Sequence, residues 1–372
     1  MVCKSQRGPR ERASFKQMKK AVSAIFSILF LFQFITAQEK PLSQPEYVKM
    51  LYALQKNPGG KQDIIAALRS RGIDFDVTDG VRSLTKSKGA NDEELKRALE
   101  EAGRRRQNPS SAKLPPQKEA ADILEKVRLN TLASVKDMPD FVVKQLISRS
   151  DAYVGTGNWQ QKDNLIVAVS YSEKDGEQYK VLAIDGARVN AERGSSYAGA
   201  GGASTKGEFV EDLEIIFSPE TKTEFNPVET DVIRERPAFV YEYTVKLGAD
   251  KRLGLASGRN LSQTAVIGLT GKIWIDRETF RVLRLEMNAT DIPNDFPIRG
   301  FRSATDFDWV TIAEEKYLLP LLSDIRFTMR SGSTLYQDRN LIRFKNYQKF
   351  GTDITILDDD DKPVKDEEKP KP

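Results

Sequence analysis

The 372-residue chain has no histidine and one cysteine, Cys3. Cys3 precedes an apolar run, AVSAIFSILFLFQF (Ala21–Phe34), so everything beyond that run lacks both thiol and imidazole. These absences exclude disulfides, Cys/His zinc sites, cysteine nucleophiles and any catalytic triad that uses imidazole as its base. The apolar run itself is too short to span a bilayer, which takes roughly 20 residues in a helix. Seven basic residues (Lys4, Arg7, Arg10, Arg12, Lys16, Lys19 and Lys20) stand before it, and Ile-Thr-Ala follows it. That order predicts a secretory signal over 1–37, removed after Ala37.

Removing 1–37 changes the charge. The whole chain carries 58 Lys+Arg against 54 Asp+Glu, a net of +4. The predicted signal takes seven bases and Glu11 with it, leaving 51 against 53 and a net of −2. Basic charge therefore gives no support to a nucleic-acid partner. An exported protein without disulfides suits a bacterial periplasm or exterior.

Residues 45–106 space their apolar side chains at three and four, in PEYVKMLYALQ, KQDIIAALRSRG and NDEELKRALEEAGRRR, and predict a small helical module. Asn91 with Glu94 reads as a capping pair, and Gly72 and Gly103 read as helix ends. QNPSSAKLPPQ (107–117) reads as a linker. A helix is expected from Lys118 to about Lys136, with Ala121, Leu124, Val127, Arg128 and Leu132 along one side. The apolar period then changes to two through FVVKQLISRSDAYV, LIVAVSY, YKVLAI, AFVYEYTV, KIWID, VLRLEM, FDWVTI, DIRFTMR and LIRFKNY. Frequent short turns between such segments predict an antiparallel sheet with one buried face, over 118–350. The tail, 351–372, ends in DDDDKPVKDEEKPKP and is too charged and proline-rich to form a core.

The expected fold class is α+β. A small N-terminal helical module precedes a large curved antiparallel sheet, a half-open barrel with helices on its concave face. Phe239, Tyr241, Tyr243, Ile273, Ile275, Leu283, Leu285 and Phe327 are expected to line that face, either as a core or as an apolar groove.

The stretch GSSYAGAGGASTKGEF (Gly194–Phe209) fails as a nucleotide site. A phosphate loop needs a hydroxyl residue after its lysine, and here Lys206 is followed by Gly207. No third glycine completes a dinucleotide fingerprint. The reading kept is a movable connection, with Gly199, Gly201, Gly202, Thr205 and Phe209 as its lid residues and Thr205 or Ser204 capping a helix over 207–217. Asp306 and Asp308, Glu314 and Glu315, and Asp291 and Asp295 are the acids a hydrolase could use, although strand alternation alone explains Asp306 and Asp308.

GKIWIDRETFRVLRLEM resembles the Trp-Ile-Asp strand-turn-strand segment of the periplasmic lipoprotein-carrier and sigma-factor-regulator folds. Those folds are half-open antiparallel barrels that hold acyl chains. Residues 138–350 more closely resemble a family of uncharacterised exported bacterial proteins, through MPDFVVKQLISR, NWQQKDNLIVAVSY, STKGEF, GKIWIDRETFRVLRLE, IPNDFPI and YLLP. That family brings no established chemistry with it. The first reading, from the export signal and the apolar concave face, is a non-enzymatic periplasmic protein that binds an apolar or lipid-like ligand such as a lipoprotein acyl chain, with no cofactor and no metal expected. A second reading is an envelope protein that meets another protein through residues 45–106. A third is a carboxylate-based hydrolase.

Overall fold

The computed structural model describes residues 40–156, 158–189, 204, 205, 207–257 and 262–350. The predicted signal, Gly199, Gly201 and Gly202 of the expected lid, and the charged tail lie outside the described residues. Two compact units divide the chain between Asn91 and Asp92.

In the first unit, helices α1 (Gln44–Ala53), α2 (Lys61–Arg71) and α3 (Asp79–Lys88) surround Tyr47, Leu51, Ile64, Ile65, Leu68 and Val81. Ser43 caps α1 by accepting from the Glu46 amide, and Thr78 caps α3 by accepting from that of Val81. Gly72 ends α2 at a φ of 71°, as its place after the apolar stripe implied. Tyr47 Oη and Thr85 Oγ1 meet at 2.8 Å in this core.

The second unit takes in α4 (Glu93–Gln107), which the sequence pattern had grouped with the module ending at 106. Its cap is Asp92, accepting from the Leu95 amide at 2.9 Å; Asn91, at a φ of 53°, belongs to the turn before it. Gly103 lies inside this helix and not at its end. Helix α5 (Gln117–Lys136) buries Ala120, Ile123, Val127 and Thr131. Of the expected stripe, Val127 is fully buried and Leu124 and Leu132 pack half-buried against the same core, so the observed face is centred beside the expected one.

Eleven strands form one open antiparallel sheet in the order β4-β3-β2-β1-β13-β12-β11-β10-β9-β6-β5. They are β1 (Phe141–Tyr153), β2 (Gln160–Ser172), β3 (Gly176–Ile184), β4 (Ala187–Arg188), β5 (Glu224–Ile233), β6 (Arg236–Val245), β9 (Gly268–Asp276), β10 (Val282–Thr290), β11 (Ile298–Ile312), β12 (Glu315–Ser331) and β13 (Thr334–Lys349). A separate hairpin pairs β7 (Gly254–Ser257) with β8 (Gln263–Val266). Among the described residues no helix is long and apolar enough to cross a membrane.

Alternation gives the sheet two unlike faces. One carries the main core, and α5, α6 (Glu211–Phe217) and the β7–β8 hairpin all contribute side chains to it. We call this the covered face. The opposite face has a smaller cluster of Ile233, Ala238, Val240, Trp274 and Leu283. There Arg97 of α4 lies 5.9 Å from the Trp274 ring, and Trp274 Nε1 donates to Asp231. Thr230 Oγ1 donates to the buried Glu101 carboxylate of the same helix. At the β9–β10 turn Asp276 accepts from the amides of Glu278 and Thr279 and pairs with Arg236 at 2.6 Å. The acid of the Trp-Ile-Asp segment thus closes its own hairpin.

Gly271 marks the tightest backbone approach. It faces Tyr243 across β6 and Met287 across β10. The Tyr243 hydroxyl reaches over it to donate to the Glu286 carbonyl at 3.0 Å. A Cβ at this position would stand 1.9 Å from that carbonyl oxygen. Gly271→Ala is expected to destabilise the protein by roughly 3 kcal/mol, the upper end of ordinary overpacking. Denaturant unfolding checks this: a midpoint equal to that of the unsubstituted protein would contradict the contact.

Candidate functional site: the covered face and its carboxyl clasp

Six of the eight predicted lining residues come together on the covered face. Tyr241, Tyr243, Ile273, Ile275, Leu285 and Phe327 are all buried in its core, and Phe239 packs half-buried at its border. The Arg277 guanidinium lies 4.1 Å from the Phe239 ring centre. Leu283 does not join them. A bulge between Val282 and Arg284 inverts the alternation, so Val282 faces the core and Leu283 joins Trp274 on the opposite face.

Both lining tyrosines already use their hydroxyls. Tyr241 Oη donates to the Ala120 carbonyl of α5 at 3.1 Å, and Tyr243 Oη is engaged with Glu286. These rings therefore offer a ligand apolar surface only.

The 207–217 segment covers the β1–β3 end of this face. Phe209 is fully buried, edge-on to Phe344 at 5.3 Å and to Phe141 at 5.4 Å. Phe141 stacks in turn on Tyr171. Leu213, Ile216 and Phe217 of α6 continue the contact. The helix is shorter than the expected 207–217, beginning at Glu211. Thr205 does not cap it; its hydroxyl donates to the Glu208 carboxylate.

Beside Phe209 lies a cluster of acids that the sequence reading passed over. Tyr179 Oη sits 2.5 Å from Glu177 Oε2 and 3.2 Å from Glu208 Oε2. The Gly207 amide donates to Glu177 at 2.9 Å, and the Phe209 amide also donates to it. Burial raises the Glu177 carboxyl to about 7, with the neighbouring Glu208 charge adding to the shift and the hydrogen bonds opposing it. Burial likewise raises Glu208, and raises Asp212 well above the carboxylate range, there with added repulsion from Glu208 and Glu177. Tyr179 and Tyr347 are held neutral by burial and by the same acids.

The proton count follows from these contacts. Tyr179 has one hydroxyl hydrogen and two carboxyl neighbours. Both contacts are satisfied together when one carboxyl is protonated and donates back to the phenol. Burial favours the protonated form of each acid as well, and the cluster is a clasp of neutral hydrogen bonds fastening residues 207–209 to β3. Its sequence signal was the alternation Glu177-Tyr179-Val181, which puts an acid on the apolar side of a strand.

The other acids singled out earlier form no such pair. Asp306 accepts from Arg284 through both oxygens at 2.9 Å, and Asp308 lies 3.4 Å from Arg234. A bulge between Asp306 and Phe307 separates the two acids in register. Among the described residues no group of acids is arranged to hold a metal ion.

No family model and no curated protein matches the chain. Solved structures are similar to it. A DUF1329 family protein from Desulfovibrio piger shares 11% identity over 64% of this chain and 96% of its own, at a TM-score of 0.29. MucB in complex with MucA(peri) shares 10% identity over 59% and 93%, at 0.16, and the MucA/MucB complex of Pseudomonas aeruginosa shares 9% over 60% and 94%, at 0.18. At such scores the likeness carries no argument about function.

The clasp has a pH signature. Glu177 binds its proton more tightly folded than unfolded, so its contribution to stability is complete below about pH 4.5 and is lost as pH rises through about 7. Glu177→Gln keeps an acceptor for the Gly207 amide and cannot ionise. The variant is expected to melt close to the unsubstituted protein at pH 4.5 and above it at pH 8, by on the order of 2 kcal/mol. Parallel melting curves across that range would contradict a neutral clasp.

Proposed function

We propose that the protein is a non-enzymatic binding protein of the bacterial periplasm, and that its ligand is an apolar, acyl-chain-like molecule held on the covered face of the sheet. The observation that carries this reading is the construction of the cover. One apolar face extends from Val181 on β3 to Val245 on β6, and the pieces over it are separate: α5, the 207–217 segment and the β7–β8 hairpin. Of these the 207–217 segment holds a helix of only seven residues. So short a helix is marginal alone and takes its stability from packing. Beside that packing stands the clasp of neutral hydrogen bonds. Lifting this segment would uncover Phe141 and Phe344 together with its own Phe209, Leu213, Ile216 and Phe217, and an acyl chain taking its place restores that lost burial.

Export is supported by the basic and apolar order of residues 1–37. The reading as a protein-docking module has less to support it. The apolar residues of the first unit are turned into its own core, and Tyr52 is the large apolar side chain that its described residues leave exposed, with Lys88 4.6 Å from its ring. The hydrolase reading also has less to support it: Asp306 is held by Arg284, Asp308 lies beside Arg234, and Glu177 and Glu208 share the Tyr179 hydroxyl.

Displacement of a fluorescent acyl probe by saturated acyl chains of increasing length tests the proposal. Affinity is expected to rise by about 0.8 kcal/mol for each added CH₂ until the face is filled. Absence of displacement, or affinity independent of length, would overturn it.

A further inference from the structure

The covered face is not wholly apolar, and its polar groups fall into two sorts. Most are paired within the sheet. Arg149 is held by Asp163 through two contacts of 2.6 and 2.5 Å, and Thr305 Oγ1 meets Ser323 Oγ at 2.9 Å. Gln145 is different. It shares its side of β1 with Val143 and Ile147, faces Val167 across β2 and Phe344 across β13, and is 1% exposed. Neither its Oε1 nor its Nε2 has a hydrogen-bond partner among the described residues. Ser303 Oγ on β11 is in the same condition.

A primary amide surrounded by valine, isoleucine and phenylalanine is destabilising when it pairs with nothing, and an aliphatic side chain of similar volume would pack there without that penalty. The amide lies under the segment that carries Phe209, since Phe209 packs on Phe344, its cross-strand neighbour. Resting on the binding function proposed above, we infer that Gln145 is the polar contact of the ligand, and that the ligand is a neutral acyl ester or amide whose carbonyl accepts from Nε2.

The surroundings argue for a neutral group. The guanidinium of Arg149, two positions along the same side of the strand, is already neutralised by Asp163. Near Phe209 the ionisable groups are the clasp acids Glu177, Glu208 and Asp212, with the Tyr179 and Tyr347 phenols. A free carboxylate would bring a buried charge into neutral surroundings, with the Arg149 guanidinium already paired to Asp163. A carbonyl meets an amide donor.

The test compares 1-palmitoylglycerol with its 1-hexadecyl ether, which replaces the carbonyl by CH₂, as displacers of the acyl probe from the full chain. A palmitoyl amide of a neutral dipeptide, as a third arm, distinguishes an acylated polypeptide from a glycerolipid as the carbonyl's source. The unsubstituted protein is expected to prefer the ester or the amide to the ether by roughly three- to tenfold, one hydrogen bond's worth. Gln145→Leu is expected to erase that preference, keep the ether affinity and melt no lower than the unsubstituted protein. Gln145→Met serves where the leucine variant does not fold. Equal displacement by ester, amide and ether would overturn this inference alone, as would a preference that survives in the variants. Displacement by none of the three would remove the proposed function and the inference with it.

Discussion

Everything else in the second unit depends on burying one side of a single antiparallel sheet. Strand alternation sends Phe239, Tyr241, Tyr243, Ile273, Ile275 and Leu285 to that side. It leaves Trp274 and Val240 to the opposite one, under α4. Fully burying a large aliphatic or aromatic side chain stabilises by about 1.5–3 kcal/mol, so a face with dozens of such residues outweighs any single hydrogen bond or ion pair in the unit. The polar features gain their meaning against that background. A neutral carboxyl cluster and an unpartnered amide are both unfavourable within such a face. They persist where the 207–217 segment meets the sheet.

Two polar devices divide the work of that contact. Glu177 and Glu208 share the Tyr179 hydroxyl only while a proton is retained between them, so they tie the segment's attachment to pH. Gln145 is satisfied by nothing in the described chain, which ties the interior to a partner from outside. The lining tyrosines show the contrasting case, with hydroxyls anchored to the Ala120 and Glu286 carbonyls as part of the frame.

The strands, their antiparallel pairing and the apolar face could be read from the sequence because period-2 runs such as AFVYEYTV and KIWID state which residues share a side. What could not be read was where the register slips. Leu283 changes sides through a bulge, and a bulge is a property of two strands together, without a signature in VLRLEM alone. The boundary of the first unit was lost for a related reason. Glu93–Gln107 has the pattern of any amphipathic helix, and only the sheet's Thr230, Asp231 and Trp274 decide what it packs on. Glu177 was legible in part, because its position two before Tyr179 puts an acid on an apolar side. Its partner Glu208 comes from a distant segment, and the meeting of the two is tertiary. Gln145 was equally visible within FVVKQLISR, but its lack of a partner can be seen only once the neighbouring strands are in place.

The open sheet ends at β4 and β5. Because β4 pairs only with Ala183 and Ile184 among the described residues, the rest of β3 is an edge as well, with the Gly207 amide held there by Glu177. β4 is two residues long. β5 is interrupted by Pro227, which has no amide hydrogen, and by the bulge that follows before Glu229. Edges so blunted resist lateral joining with a second copy. At the β5 end the sheet can then stay unsealed without offering a continuous ladder of backbone groups for another strand to extend.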